Sequence, residues 1–208
     1  MTTQLTELQQ DALIEIFNVG VGHAANSMSQ IAGEEITLSV PRFDILQGAD
    51  QAGAIRAAIH SQHICAVSQD ITGSLDAKAF LIFPEGKTQE IVRRMLGESV
   101  SVEELNEMEQ EALSEIGNII LNSCFSALSD VLQSSFQSSL PAYHLGSVDQ
   151  ILLPANIPQD DDLLMLLHID FFMPSAHIDG YLIFLMTLTS FNALLKKIDQ
   201  FTAGLHGN

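Results

Sequence analysis

Glu15 and Asn18 stand three residues apart, and Glu115 and Asn118 repeat the pair one hundred residues later. A carboxylate and a carboxamide one helical turn apart offer a cation acceptor beside a group that both donates and accepts hydrogen bonds. Such a pair can hold a water molecule by the amide while the acid anchors a lysine. Glu needs no special reason to lie on a solvated helix face, because it is a good helix former. Asn does, because its side chain competes with the helix backbone for hydrogen bonds. The same mid-helix Asn twice calls either for a structural bond between two helices or for an external task. Nothing else in the chain resembles a nucleophile with its base, so these two pairs are the site candidates.

The elements that must carry them are two long helices, and a repeat defines both. Residues 11–18, DALIEIFN, match residues 111–118, EALSEIGN, at five of eight positions. The same offset brings Pro41 onto Pro141, and AFLIFP at 79–84 falls near GYLIFL at 180–185. The chain reads as one domain over 1–208, a duplicated module with halves of about 1–100 and 101–208 and a boundary near Glu98–Glu103. Helices are expected from about Leu5 to Ile31 and from about Val102 to Leu132. Apolar or small residues at 13, 16, 17, 20, 24, 28 and 31, and at the same numbers plus 100, make one stripe at the helical period. Asp11, Asn18 and Gly22 lie within about 60° of Glu15 on the helical wheel. Glu111, Glu115, Asn118 and Asn122 form the corresponding row on the second helix.

After each long helix come strand-like runs. They fall at about 35–45, 53–67 (allowing a break) and 77–83, then at about 142–153, 162–171 and 177–187. Short helices near Thr88–Leu96 and Ser190–Phe201 close the halves. The expected class is α+β: a duplicated helix–three-strand–helix module sharing one antiparallel sheet, with the two long helices on one face. A three-stranded piece alone would offer little core.

Composition removes several classes. Eight Lys+Arg against 26 Asp+Glu leave a net charge of −18, a surface that repels nucleic-acid phosphates and anionic lipid. The apolar share of 47% speaks for a packed chain. The strongest apolar run, Tyr181 to Leu188, is far shorter than a membrane-spanning helix. The N-terminus has neither the basic start nor the apolar middle of a signal peptide, so a cytoplasmic location is expected. Cys65 and Cys124 make no disulfide framework, and the nearest pair of metal-ligand type, His60 and His63, would face opposite sides of a strand. No metal site is expected. Gly20-Val-Gly22-His-Ala-Ala25 fits a loose GxGxxA dinucleotide pattern, but that pattern needs a strand before it, and here a helix is already running. These glycines read instead as thinning the helix, for helix packing or for a partner's close approach.

Asp11-x3-Glu15-x2-Asn18, then 22 residues, then Pro41 resembles the signature of the CheC/CheX/FliY phosphatases of bacterial chemotaxis. Glu115-x2-Asn118, then 22 residues, then Pro141 repeats it. Four positions across some 30 residues, found twice, are more specific than one short motif, and the resemblance covers nearly the whole chain. Keeping both Glu-Asn pairs is similar to CheC-type members; CheX-type members keep one, and FliM-type switch proteins share the fold but lack them. The second copy departs from the family at its first position, where Glu111 stands in place of Asp or Ser.

The resemblance implies hydrolysis of the aspartyl phosphate of the response regulator CheY. It implies no cofactor of the chain's own, since the Mg2+ belongs to CheY. Glu15 or Glu115 would pair with the lysine beside the phosphoaspartate, and Asn18 or Asn118 would enter CheY's active site and orient a water. Asp11, Gly22, Glu111 and Asn122 would contact the partner. Two further roles stay open: a non-catalytic module that binds phospho-CheY or the flagellar switch, and an adaptor for the receptor deamidase CheD. Two sites in one chain point to a monomer.

Overall fold

The computed structural model describes residues 5–47, 51–96, 102–152, 162–174 and 176–205. Helix α1 spans Glu7–Ala32. Thr6 caps its start: the Thr6 hydroxyl accepts from the Gln9 N–H while the Gln9 side chain accepts from the Thr6 N–H, a capping box. Gly33, in the left-handed region at φ 71°, ends it and returns its N–H to Ser29 O. Strand β1 (Thr37–Gln47), helix α2 (Gln51–Ile59), strands β2 (His63–Gly73) and β3 (Ala77–Pro84) and helix α3 (Thr88–Leu96) complete the first half. The second half holds α4 (Val102–Leu132), β4 (Phe136–Ser138), β5 (Ala142–Ser147), α5 (Val148–Leu152), β6 (Asp162–Met173), β7 (Ala176–Thr187) and α6 (Leu188–Leu205).

The strands form one antiparallel sheet in the order β1-β6-β7-β3-β2, with β4 and β5 both paired along the outer edge of β2. The halves therefore exchange their first strands. β1 lies beside β6, and β5 beside β2, while β3 and β7 meet at the centre. Neither half could close its own share of the sheet with its own chain alone.

Two stretches expected as strands differ in part. Within 53–67, residues up to Ile59 are helical, and within 142–153, Val148–Leu152 are helical; residue 153 lies outside the described residues. Short apolar runs do not separate the two periods. In α2, Ile55 and Ile59 are one turn apart and both buried, which is a helical spacing that an alternating strand reading obscures.

Both long helices pack on one face of the sheet. Leu13, Ile16, Phe17, Val21, Ala24 and Met28 of α1, with Leu113, Ile116, Ile120, Cys124 and Leu128 of α4, share a core with Leu81, Leu167, Leu182 and Phe184. Phe17 stacks on Phe184 at 5.2 Å, and Phe125 meets the same ring edge-on at 5.6 Å. Ile31, placed on the apolar stripe by its spacing, is exposed. The other face carries a smaller core, in which Ile55 and Ile59 of α2 and Val148 and Leu152 of α5 cover Ile64, Phe80 and Leu164. Both cysteines are buried free thiols. Burial pushes the Cys124 thiol up to about 12, so it is no nucleophile. Among the described residues, no helix is long and apolar enough to cross a membrane.

Candidate functional site

The two Glu-Asn pairs fall on corresponding turns of α1 and α4, as their spacing requires. Asp11, Glu15 and Gly22 on α1, and Glu111 and Glu115 on α4, are exposed, whereas Asn18, Asn118 and Asn122 are half-buried. Among the described residues the four carboxylates make no hydrogen bond or ion pair. A chain with so few cations leaves them open to a cation from elsewhere.

The amides sit on the margin of the packed surface, turned toward the sheet edge. Asn18 Oδ1 accepts the Val40 N–H at 2.8 Å. Val40 lies where the pairing of β1 with β6 slips, between Ser39 and Arg42, and Pro41 beside it has no N–H to give. The amide therefore satisfies a strand donor at a gap in the ladder. This accounts physically for the 22-residue spacing from Asn to Pro.

The second site reaches a similar end by other means. Asn118 Oδ1 accepts from Asn122 Nδ2 at 2.7 Å and from Gln69 Nε2 at 3.2 Å. Asn122 Oδ1 in turn accepts from the Ser138 hydroxyl at 2.9 Å. Gln69 is buried on β2 and also donates to Ser139 O at 3.0 Å, close to Pro141. Asn122, expected to face a partner, thus has both ends of its amide engaged within the chain. In both sites the carboxamide oxygen is held by the protein, which assigns the NH2 group to the other side of the amide. Neither NH2 group has a partner among the described residues.

The two glycines of the GxGxxA stretch separate into different roles. A Cβ on Gly20 would stand 2.7 Å from Cys124 Cα, so this glycine permits the close crossing of α1 over α4. Gly22 has open space around it. It lies on the Glu15-Asn18 row and leaves the helix thin there.

Sequence reasoning passed over one cluster. His168-Ile-Asp170 on β6 and His177-Ile-Asp179 on β7 repeat a tripeptide across one hairpin, far from both Glu-Asn pairs in sequence. The period of two in a strand puts the outer residues of each tripeptide on one face, and this was the signal that could have found it.

Comparison with known proteins places the chain in a family and matches its fold to solved structures. A family model described as chemotaxis phosphatase CheX matches residues 65–159. The CheY-P phosphatase CheC of Bacillus subtilis (strain 168) is 31% identical over 147 residues, 68% of this chain and 68% of that one. Among solved structures, Thermotoga maritima FliY superposes with a TM-score of 0.75 at 21% identity, over 98% of this chain and 99% of that one. The FliM middle domain of H. pylori has the same fold at a TM-score of 0.61 and 14% identity, over 93% and 99% of the two chains. With these matches and two Glu-Asn rows on paired long helices, the chain belongs to the CheC/CheX/FliY family of chemotaxis phosphatases.

Proposed function

We propose that this protein hydrolyses the phosphoaspartate of a CheY-type response regulator, using Glu15 with Asn18 on α1 and Glu115 with Asn118 on α4. The observation that carries the reading is the polarity of the two amides: each oxygen is tied down within the chain, leaving an NH2 and a neighbouring carboxylate that have no partner among the described residues. Exposed carboxylates beside half-buried amides on a helix face suit a partner that brings its own active site, and the relative named CheY-P phosphatase CheC supplies the partner class.

Phosphoryl transfer demands positioning and charge stabilisation more than covalent chemistry from the protein. Docked on the regulator, the glutamate pairs with the lysine beside the phosphoaspartate. The amide NH2 donates to a water and fixes it in line with the phosphorus. The water oxygen bonds to phosphorus, the aspartyl O–P bond breaks, and aspartate leaves as its carboxylate while the water's protons go with the phosphate. The gain comes from orientation settled before the reaction begins. The regulator supplies the Mg2+, and Asp11, Gly22 and Glu111 contact it at the edges of the site.

Decay of phosphorylated CheY with Mg2+ present tests this, comparing wild type, Asn18→Ala, Asn118→Ala and the double variant. Each single variant should lose part of the acceleration and the double variant all of it. Unchanged decay with wild type that still binds phospho-CheY would replace the enzyme with a binding module.

A further inference from the structure

We propose that the β6–β7 hairpin holds a divalent transition-metal ion of the zinc type, bound by His168, Asp170 and Asp179, with His177 hydrogen-bonded to Asp170 as a supporting residue. These residues lie on the sheet face opposite the long helices, so the site is separate from both Glu-Asn pairs.

The register of the hairpin builds it. Three successive rungs on this face are His168 opposite Tyr181, Asp170 opposite Asp179, and Phe172 opposite His177. Two aspartates directly across a strand pair repel one another and destabilise the pairing unless a cation lies between them. An imidazole stands diagonally on either side of that rung, and both turn inward. His177 Nε2 is 3.3 Å from Asp170 Oδ1 and 3.6 Å from Asp179 Oδ1. His168 Nε2 is 3.5 Å from Asp179 Oδ1 and 4.0 Å from Asp170 Oδ1. One ligand atom each from His168, Asp170 and Asp179 lies within 4.8 Å of the other two. Bonds of about 2.05 Å to a tetrahedral zinc place donor atoms about 3.3 Å apart, close to these separations.

Two further observations point to a ligand. The His168 Nε2 atom is shielded from water and has no hydrogen-bond partner among the described residues, although it faces the carboxylates. An unsatisfied buried nitrogen is costly, and a metal bond would satisfy it. Both rings are also held in place. His177 lies flat on Phe172, with centroids 4.4 Å apart and planes within 3°. His168 stacks on Tyr181 at 5.1 Å, and the Tyr181 hydroxyl donates to Ala58 O in α2 at 2.8 Å. Arg42, across from His168 on β1, pairs with Asp44 at 2.7 Å and, among the described residues, makes no ion pair with Asp170 or Asp179. Imidazole nitrogen with carboxylate oxygen is a donor set for zinc and its first-row neighbours. His168 and Asp179 also line a groove of about 540 Å³ that runs toward His60, so the ion would stand at the groove's edge.

The test is calorimetric titration of the metal-free full chain with Zn2+, alongside Asp170→Asn, Asp179→Asn, His168→Ala, His177→Ala and a His60→Ala/His63→Ala control. Wild type and control should bind one equivalent equally tightly, and each hairpin variant should lose at least about tenfold in affinity. Co2+ bound to wild type should show the visible absorption of a low-symmetry site with nitrogen and oxygen donors. That readout needs no variant to fold. Absence of tight binding by wild type, or binding that the hairpin variants leave unchanged, would overturn the proposal.

Discussion

Asn18 Oδ1 accepts the backbone N–H of Val40 at 2.8 Å, joining α1 to the point where β1 slips against β6. One bond serves two ends. It supplies the acceptor that a strand donor lacks where Pro41 interrupts the ladder, and it turns the amide so that its donor side is free of partners among the described residues. A residue proposed for catalysis is thereby oriented by the fold, and the fold depends in turn on that residue.

Two substitutions at Asn18 separate these duties. Asn18→Ala should leave the Val40 N–H unpaired and cost about 1 kcal/mol of stability, besides its loss of turnover. Asn18→Asp keeps an acceptor for Val40 but has no NH2. It should unfold at nearly the wild-type urea concentration and still lower phospho-CheY hydrolysis at this site by about 10²-fold. With the second site removed by Asn118→Ala, an Asn18→Asp protein as active as its Asn118→Ala parent would exclude the amide donor from the mechanism.

The two sites should respond differently to Gln69. Its Nε2 holds Asn118, while Asn18 leans on a backbone N–H instead. In an Asn18→Ala background, Gln69→Leu should slow the remaining turnover by up to about tenfold, because the Asn118 amide keeps only the Asn122 donor and is held less firmly. In an Asn118→Ala background it should change nothing. Equal losses in both backgrounds would mean that Gln69 acts on the fold as a whole.

Gly20 and Gly22 make opposite predictions two residues apart. Gly20→Ala drives a methyl group into the backbone of α4 and should cost about 1–3 kcal/mol. Gly22→Ala meets no neighbour and should raise stability by about 0.5–1 kcal/mol through its better helix propensity. Urea midpoints that move in the same direction would refute the close α1–α4 crossing.

His144 sets a pH response. Burial, and then the charge of Lys78, hold its pKa below the ordinary value of 6.5. As pH falls through that value the unfolded chain takes up a proton that the folded chain resists. The stability is therefore complete above it and is lost on further acidification through the lowered folded value. His144→Gln should flatten the fall in unfolding midpoint between about pH 7 and about pH 5. A variant curve parallel to wild type would remove His144 from the acid response.

What the sequence by itself determined about this protein is what repeats within one element. The long helices, their apolar stripes and the Glu-Asn rows follow from the 3.6-residue period, which places residues three and four apart on one face whatever surrounds them. The duplication and the family signature were legible for the same reason: the identities sit in order at one offset. The His-Ile-Asp repeat was equally local and equally legible, but it needed a strand period of two rather than a helical one.

Only the tertiary structure decided which strand lies beside which and what holds each amide. No periodicity reveals that β1 pairs with β6 and β5 with β2, because strand order depends on contacts distant in the chain. The corresponding asparagines look alike in sequence, yet Asn18 is held by a backbone donor on its own half's first strand. Asn118 is held by a neighbour on its own helix and by Gln69, which the strand exchange brings in from the other half. Hydrogen bonds of this kind form only after the sheet has chosen its register, and register is a property of the whole packed chain.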